Sequence, residues 1–120
     1  MNTIRPLLNA YVNVCFRLSP KQQVYWQHKT SVVVTAWNPF SQELDIQENT
    51  DNNQVLEREI EHRCYSKVLV SNENMSWSEE SFVVETSLEE GLLLAEKYEQ
   101  NAIYWVMNQH VFLVYCADKI

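Results

Sequence analysis

Nine residues have types and spacings suited to holding a small polar ligand. Trp37, Asn38 and Ser41 lie in one stretch, and Asn49 follows. Trp77, Glu79 and Ser81 form a period-two row, and Gln100 and Asn101 are adjacent. Amide side chains donate and accept at once, a carboxylate accepts, and tryptophan supplies a flat apolar wall. A mostly apolar cleft with a few placed polar groups is the usual form of a small-ligand site. For a reaction, Glu79 or Glu80 would serve as base and Ser41 or Ser81 as nucleophile. The sequence has no G-x-S-x-G elbow, and no histidine lies close to either serine. Adjacent Glu79 and Glu80 on a strand point to opposite faces and make no glycosidase pair. The same asparagines also admit a plainer role. Asn38, Asn49 and Asn101 can bond the main chain at turns and helix ends, in place of glycines. Both readings stand at this level.

The elements that must position these residues follow from periodicity. Thr30 to Pro39 holds the β-branched run Val32-Val33-Val34, the mark of a strand buried on both faces, and Asn38-Pro39 stops it. The spacing predicts strands at Tyr11–Phe16, Ser31–Trp37, Lys67–Ser71, Ser81–Glu85, Ala102–Met107 and Val111–Cys116. Leu18–Gln23 reads as a loop, Ile4–Asn9 as a helical turn and Val24–Trp26 as a short extended piece. Asp45 with Glu48, and Ser87 with Glu90, are capping boxes that open helices to about Arg63 and Glu99. The first helix buries a stripe of Asn49, Asn53, Leu56, Ile60 and Cys64, with Val55 beside it, so polar groups break its N-terminal end. The second buries Leu88, Leu92, Ala95 and Tyr98. Asn101 is expected to close the second helix in the left-handed region. The order β-β-α-β-β-α-β-β suits a single α+β domain over residues 1–120, a two-layer sandwich with a mixed, mostly antiparallel sheet and two main helices.

Composition excludes several classes. One glycine, Gly91, in 120 residues leaves no glycine-rich phosphate loop. Net charge is −7; residues 1–30 carry +4 with no acid, so the other 90 sum to −11. That balance disfavours nucleic acid, whose binding depends on neutralising phosphates. Three widely spaced cysteines, Cys15, Cys64 and Cys116, read as free thiols of a reducing compartment. The scattered histidines imply no metal site. A soluble, cytoplasmic protein without signal peptide or membrane span is the expectation.

With Thr35-Ala-Trp-Asn-Pro39, Ser41, Glu48-Asn49, Trp77-x-Glu79-x-Ser81 and Gln100-Asn101-Ala102 in this order, the chain resembles a small bacterial family, domain of unknown function 3293, from about Val32 to Leu113. The resemblance implies a cytoplasmic bacterial domain and carries over no activity, cofactor or substrate. The family usually has a glycine before the Gln-Asn pair, where this chain has Glu99. It also tends to have a longer, glycine-containing loop where this chain has Asn72–Ser76.

The sequence therefore favours a non-catalytic binding or interaction module with a Trp/Asn/Glu-lined pocket and no cofactor. Its partner is an unidentified small molecule or protein, not nucleic acid or membrane. An enzyme acting on a small metabolite is one alternative. Another is an acidic inhibitor that masks a basic partner with the helix faces Glu57–Glu61 and Glu89–Glu96.

Overall fold

Both helices begin where the capping boxes place them. Asp45 Oδ1 accepts from the Glu48 N–H at 2.8 Å, and Ser87 Oγ from the Glu90 N–H at 3.1 Å. In the computed structural model, which describes residues 14–18, 30–108 and 110–116, helix α1 spans Ile46–Ile60 and helix α2 spans Leu88–Lys97. The strands are β1 (Cys15–Arg17), β2 (Ser31–Val34), β3 (Tyr65–Ser71), β4 (Ser78–Glu85), β5 (Ala102–Met107) and β6 (His110–Tyr115). The expected turn at Ile4–Asn9, the piece at Val24–Trp26, the start of the first strand and nearly all of the 18–23 loop lie outside the described residues.

The strands form one sheet in the order β1-β3-β4-β2-β5-β6. Every pairing among the described residues is antiparallel, so the parallel component of a mixed sheet is not found there. The α+β class and the order of elements are those read from the sequence. Strand β2 stops at Val34 rather than Trp37, for a reason given below. Strand β4 begins at Ser78 rather than Ser81, because Ser78–Glu80 continues the ladder with β3.

The helices cover one face of the sheet. Val32, Val34, Phe82, Val84 and Ile103 pack there with Leu56 and Ile60 of α1 and with Leu94 and Ala95 of α2. Helix α1 buries Asn49, Asn53, Leu56 and Ile60, as the stripe predicted. Cys64 lies past the helix end and is exposed, and Val55 is also exposed. Helix α1 is thus held by only two large aliphatic side chains, so its two buried asparagines must contribute to docking. On α2 the buried centre is Gly91, Leu94 and Ala95, with Leu88, Leu92 and Tyr98 at its margins.

Gly91 is placed by packing, not by a turn. A Cβ there would lie 2.7 Å from Val32 Cγ1 and 3.1 Å from Ile103 Cδ1. Val32 is fully buried in a central strand, so it has nowhere to move. The chain's one glycine allows α2 to approach β2.

The opposite face carries a second core of Val33, Val68, Val70, Val83, Tyr104 and Val106. The ring of Phe16 on β1 meets that of Tyr104 on β5 edge-on, with centroids 4.9 Å apart. Those strands are four places apart in the sheet order, ~19 Å in a flat sheet. The sheet therefore curls until one end closes on the other, and the concave side fills itself without a helix.

Candidate functional site

The strand–turn–helix mouth after β2 is closed by side-chain amides. The β2–β4 ladder ends at Val34 opposite Phe82. Just beyond it Asn53 enters the gap from α1. Its Oδ1 accepts from the Ala36 N–H at 2.8 Å, and its Nδ2 donates to the Glu80 carbonyl at 2.8 Å. The Thr35 hydroxyl also donates to that carbonyl, at 2.6 Å, and accepts from the Trp37 N–H at 3.0 Å. A side-chain amide has a peptide's donor and acceptor, so Asn53 replaces the missing rung. This is why β2 stops three residues early.

Asn49, one turn before, repeats the device. Its Oδ1 accepts from the Asn38 N–H at 2.8 Å, while its Nδ2 donates to Asn38 Oδ1 at 2.8 Å and to the Leu44 carbonyl at 3.3 Å. Asn38 Oδ1 also accepts from the Leu44 N–H at 3.0 Å. Asn38 has a left-handed backbone, φ 47°, which asparagine tolerates better than most residues. Asn49 is 1% exposed and its donors and acceptor are engaged within the protein.

Gln100 and Asn101 join the end of α2 to the same turn. Gln100 Nε2 donates to the carbonyls of Trp37 and Tyr98, both at 3.1 Å, and Asn101 Nδ2 donates to Ser41 Oγ at 2.8 Å. The Phe40 N–H reaches the Glu99 carbonyl at 2.6 Å. The residue in the left-handed region here is Glu99, φ 58°, and not Asn101 as expected. The reversal falls where the Phe40 contact needs the carbonyl, and that position holds a glutamate.

Trp77, Glu79 and Ser81 do lie on one side of β4, the concave side. With Gln100, Val33 and Tyr104 they line a cavity of about 20 Å³, room for about one water. Burial among these neighbours raises the Glu79 carboxyl to about 7. The Ser81 hydroxyl donates to the Glu79 main-chain carbonyl at 3.3 Å, not to a carboxylate. Glu80 points to the other face, as the period of two requires.

On that face lies a groove of about 600 Å³, within the usual range for ligand sites. Trp37 and Ser81 are the two of the nine candidate residues that border it. The α1 wall is the polar row Thr50, Asn53, Gln54 and Glu57, at helical spacing i, i+3, i+4, i+7. Its floor and far wall come from β4, β3 and β1. Arg17, Leu69 and Glu80 stand in one cross-strand row, and Lys67 and Phe82 in the next. Arg17 and Lys67 are not among the residues the sequence points to; Glu80 enters there only as a candidate base and Glu57 only as part of an acidic helix face. The helical row of polar residues and the lysine alternating with Leu69 were the signals available.

The nine candidates thus fall into three groups. Asn38, Asn49, Ser41 and Asn101 bond the turn; Trp77, Glu79 and Gln100 surround the small cavity; Trp37 borders the groove, and Ser81 touches both spaces. Among the described residues no group of three or more His, Cys, Asp or Glu side chains is placed to hold a metal ion, and no helix is long and apolar enough to cross a membrane.

Fold and site together define an α+β domain with a curled antiparallel sheet and a groove beside its first helix. The profile of the family described as protein of unknown function (DUF3293) matches residues 34–103, from the end of β2 into β5. The chain belongs to that family. No curated protein and no solved structure matches it.

Proposed function

We propose that this protein is a non-catalytic binding module whose ligand occupies the groove between α1 and strands β4, β3 and β1. One observation carries the reading: a groove of about 600 Å³ brings a tryptophan, side-chain amides and charges of both signs to one surface. Those are the ingredients of a small-ligand site. The small concave cavity is too tight for more than about one water, and the turn amides are engaged with one another.

A catalytic reading is weaker because the bonds seen at the two serines are not those of an activated nucleophile. Ser81 donates to a main-chain carbonyl, and Ser41 accepts from Asn101. Masking of a basic partner is also weaker, since part of the helix acidity is already used. Glu59 bonds Lys97 at 2.9 Å and the Tyr98 hydroxyl at 2.6 Å, Glu57 accepts from Tyr65 at 2.8 Å, and Glu90 faces Arg63 at 3.4 Å. Free cysteines at positions 15, 64 and 116 favour work in a reducing compartment such as the cytoplasm.

The test is a small-metabolite screen by thermal shift on the parent and on Thr50→Trp, which fills the groove from the helix surface. A compound that stabilises the parent and not the variant supports the groove. Equal stabilisation of both would place the ligand elsewhere.

A further inference from the structure

The charges in the groove are sorted by wall. Arg17 and Lys67 come from the outer strands β1 and β3, whereas Glu80 and Glu57 come from β4 and α1. Two cations thus face two carboxylates, and the groove has no net charge.

These four groups do not neutralise one another. The ion pairs joining described residues are Arg63–Glu90 and Lys97–Glu59, and neither involves the groove. Lys67 and Glu80 are diagonal neighbours on β3 and β4, a relationship of ~7–8 Å that long side chains can span. Yet among the described residues the Lys67 ammonium and the Glu80 carboxylate have no hydrogen-bond or ion-pair partner. Arg17 is aimed: its Nε donates to Ser71 Oγ at 3.1 Å and one terminal nitrogen to the Glu73 carbonyl at 3.4 Å. The rest of its fork remains open to a carboxylate. Between the walls, Leu69 and Phe82 supply an apolar floor.

Resting on the groove reading above, we infer that the ligand is a small zwitterion, a free amino acid or short peptide. Its carboxylate lies against Lys67 and the open side of Arg17, and its apolar part over Leu69 and Phe82. Its ammonium lies against Glu80, with Glu57, which already accepts from Tyr65, adding negative charge behind it. A simple anion would gain the cations but meet two carboxylates, and a simple cation would meet the reverse. A dipolar ligand alone satisfies both walls.

The experiment titrates the full chain with the L-amino acids, a set of dipeptides, and the N-acetylated and amidated forms of whichever bind, following the backbone amides of Leu69 and Glu80 by NMR. The free zwitterions are expected to shift those amides, and either capped form to bind at least about tenfold more weakly. Lys67→Ala should weaken the free zwitterion and leave its amide unchanged; Glu80→Gln should weaken it and leave the N-acetyl form unchanged. Both substitutions are at exposed positions, and the variant spectra report folding directly. Capped forms that bind as tightly as the parent compounds overturn the inference. So does a groove that takes an uncharged compound from the metabolite screen and no zwitterion, although the groove reading then survives. Shifts confined to residues outside the groove overturn both.

Discussion

The Asn53 side chain lies 2.8 Å from the Ala36 N–H, two residue pairs past the last pair of the β2–β4 ladder, and stands in for the strand that has turned away. Asn53→Ala leaves that N–H and the Glu80 carbonyl without this partner, in a nearly closed site. An unmade buried hydrogen bond costs ~1–3 kcal/mol. Asn53→Asp offers both an acceptor and a donor only while its carboxyl is protonated, so it should recover part of the loss at low pH and not where the carboxyl is ionised and faces the Glu80 carbonyl. Urea denaturation of the two variants against the parent tests this.

Gly91→Ala should be destabilising although alanine is the better helix former. The added methyl meets Val32 at 2.7 Å, and overpacking of this kind costs ~1–3 kcal/mol, more than the propensity gain of about 1. A lower melting temperature is the expected result. Adding Val32→Ala should recover part of the Gly91→Ala loss.

Glu99→Gly should act in the opposite sense. Glutamate at φ 58° is strained, and glycine is not. The relief, of order 1–2 kcal/mol less the entropy glycine adds to the unfolded chain, predicts a gain of up to about 1 kcal/mol. Thermal unfolding would show a rise of a few degrees.

Glu79 makes stability depend on pH. Its carboxyl is raised from 4.5 to about 7 by burial, so the folded state holds the proton more tightly than the unfolded state. Stability from this group is full below about 4.5 and is lost as pH rises through about 7, by an amount on the order of 3 kcal/mol. Glu79→Gln should remove most of that slope and exceed the parent in stability at pH 8. Denaturation curves at several values from pH 5 to 8.5 check the sign.

The helices, the strand order along the chain and the polar break in α1 could be read from the sequence because they are local. Capping boxes and periodicity act over a few residues, and Asn49 and Asn53 stood out against an apolar stripe. Their partners could not be read, because the Ala36 N–H and the Glu80 carbonyl are 17 and 27 residues away from Asn53. The groove was hidden for the same reason. Arg17 reaches it through strand pairing with Leu69 and a side-chain bond to Ser71, 54 residues away, and Lys67 alone reads as a solvent-facing lysine. The left-handed turn went to Asn101 in the sequence because asparagine tolerates it and glutamate does not. Main-chain geometry at Phe40 outweighed that preference. Curling of the sheet, which gives the concave face its own core, depends wholly on long-range pairing.

The division between scaffold amides and free groove charges is tested most directly by equilibrium unfolding of Asn49→Ala and Lys67→Ala side by side with the parent. Asn49 is buried and fully bonded, whereas Lys67 is exposed. Asn49→Ala should lose ~1–3 kcal/mol, a fall of roughly 4 °C per kcal/mol, while Lys67→Ala stays within about 0.5 kcal/mol of the parent. An Asn49→Ala variant as stable as the parent, or a Lys67→Ala variant that unfolds several degrees earlier, would contradict the assignment of scaffold and site.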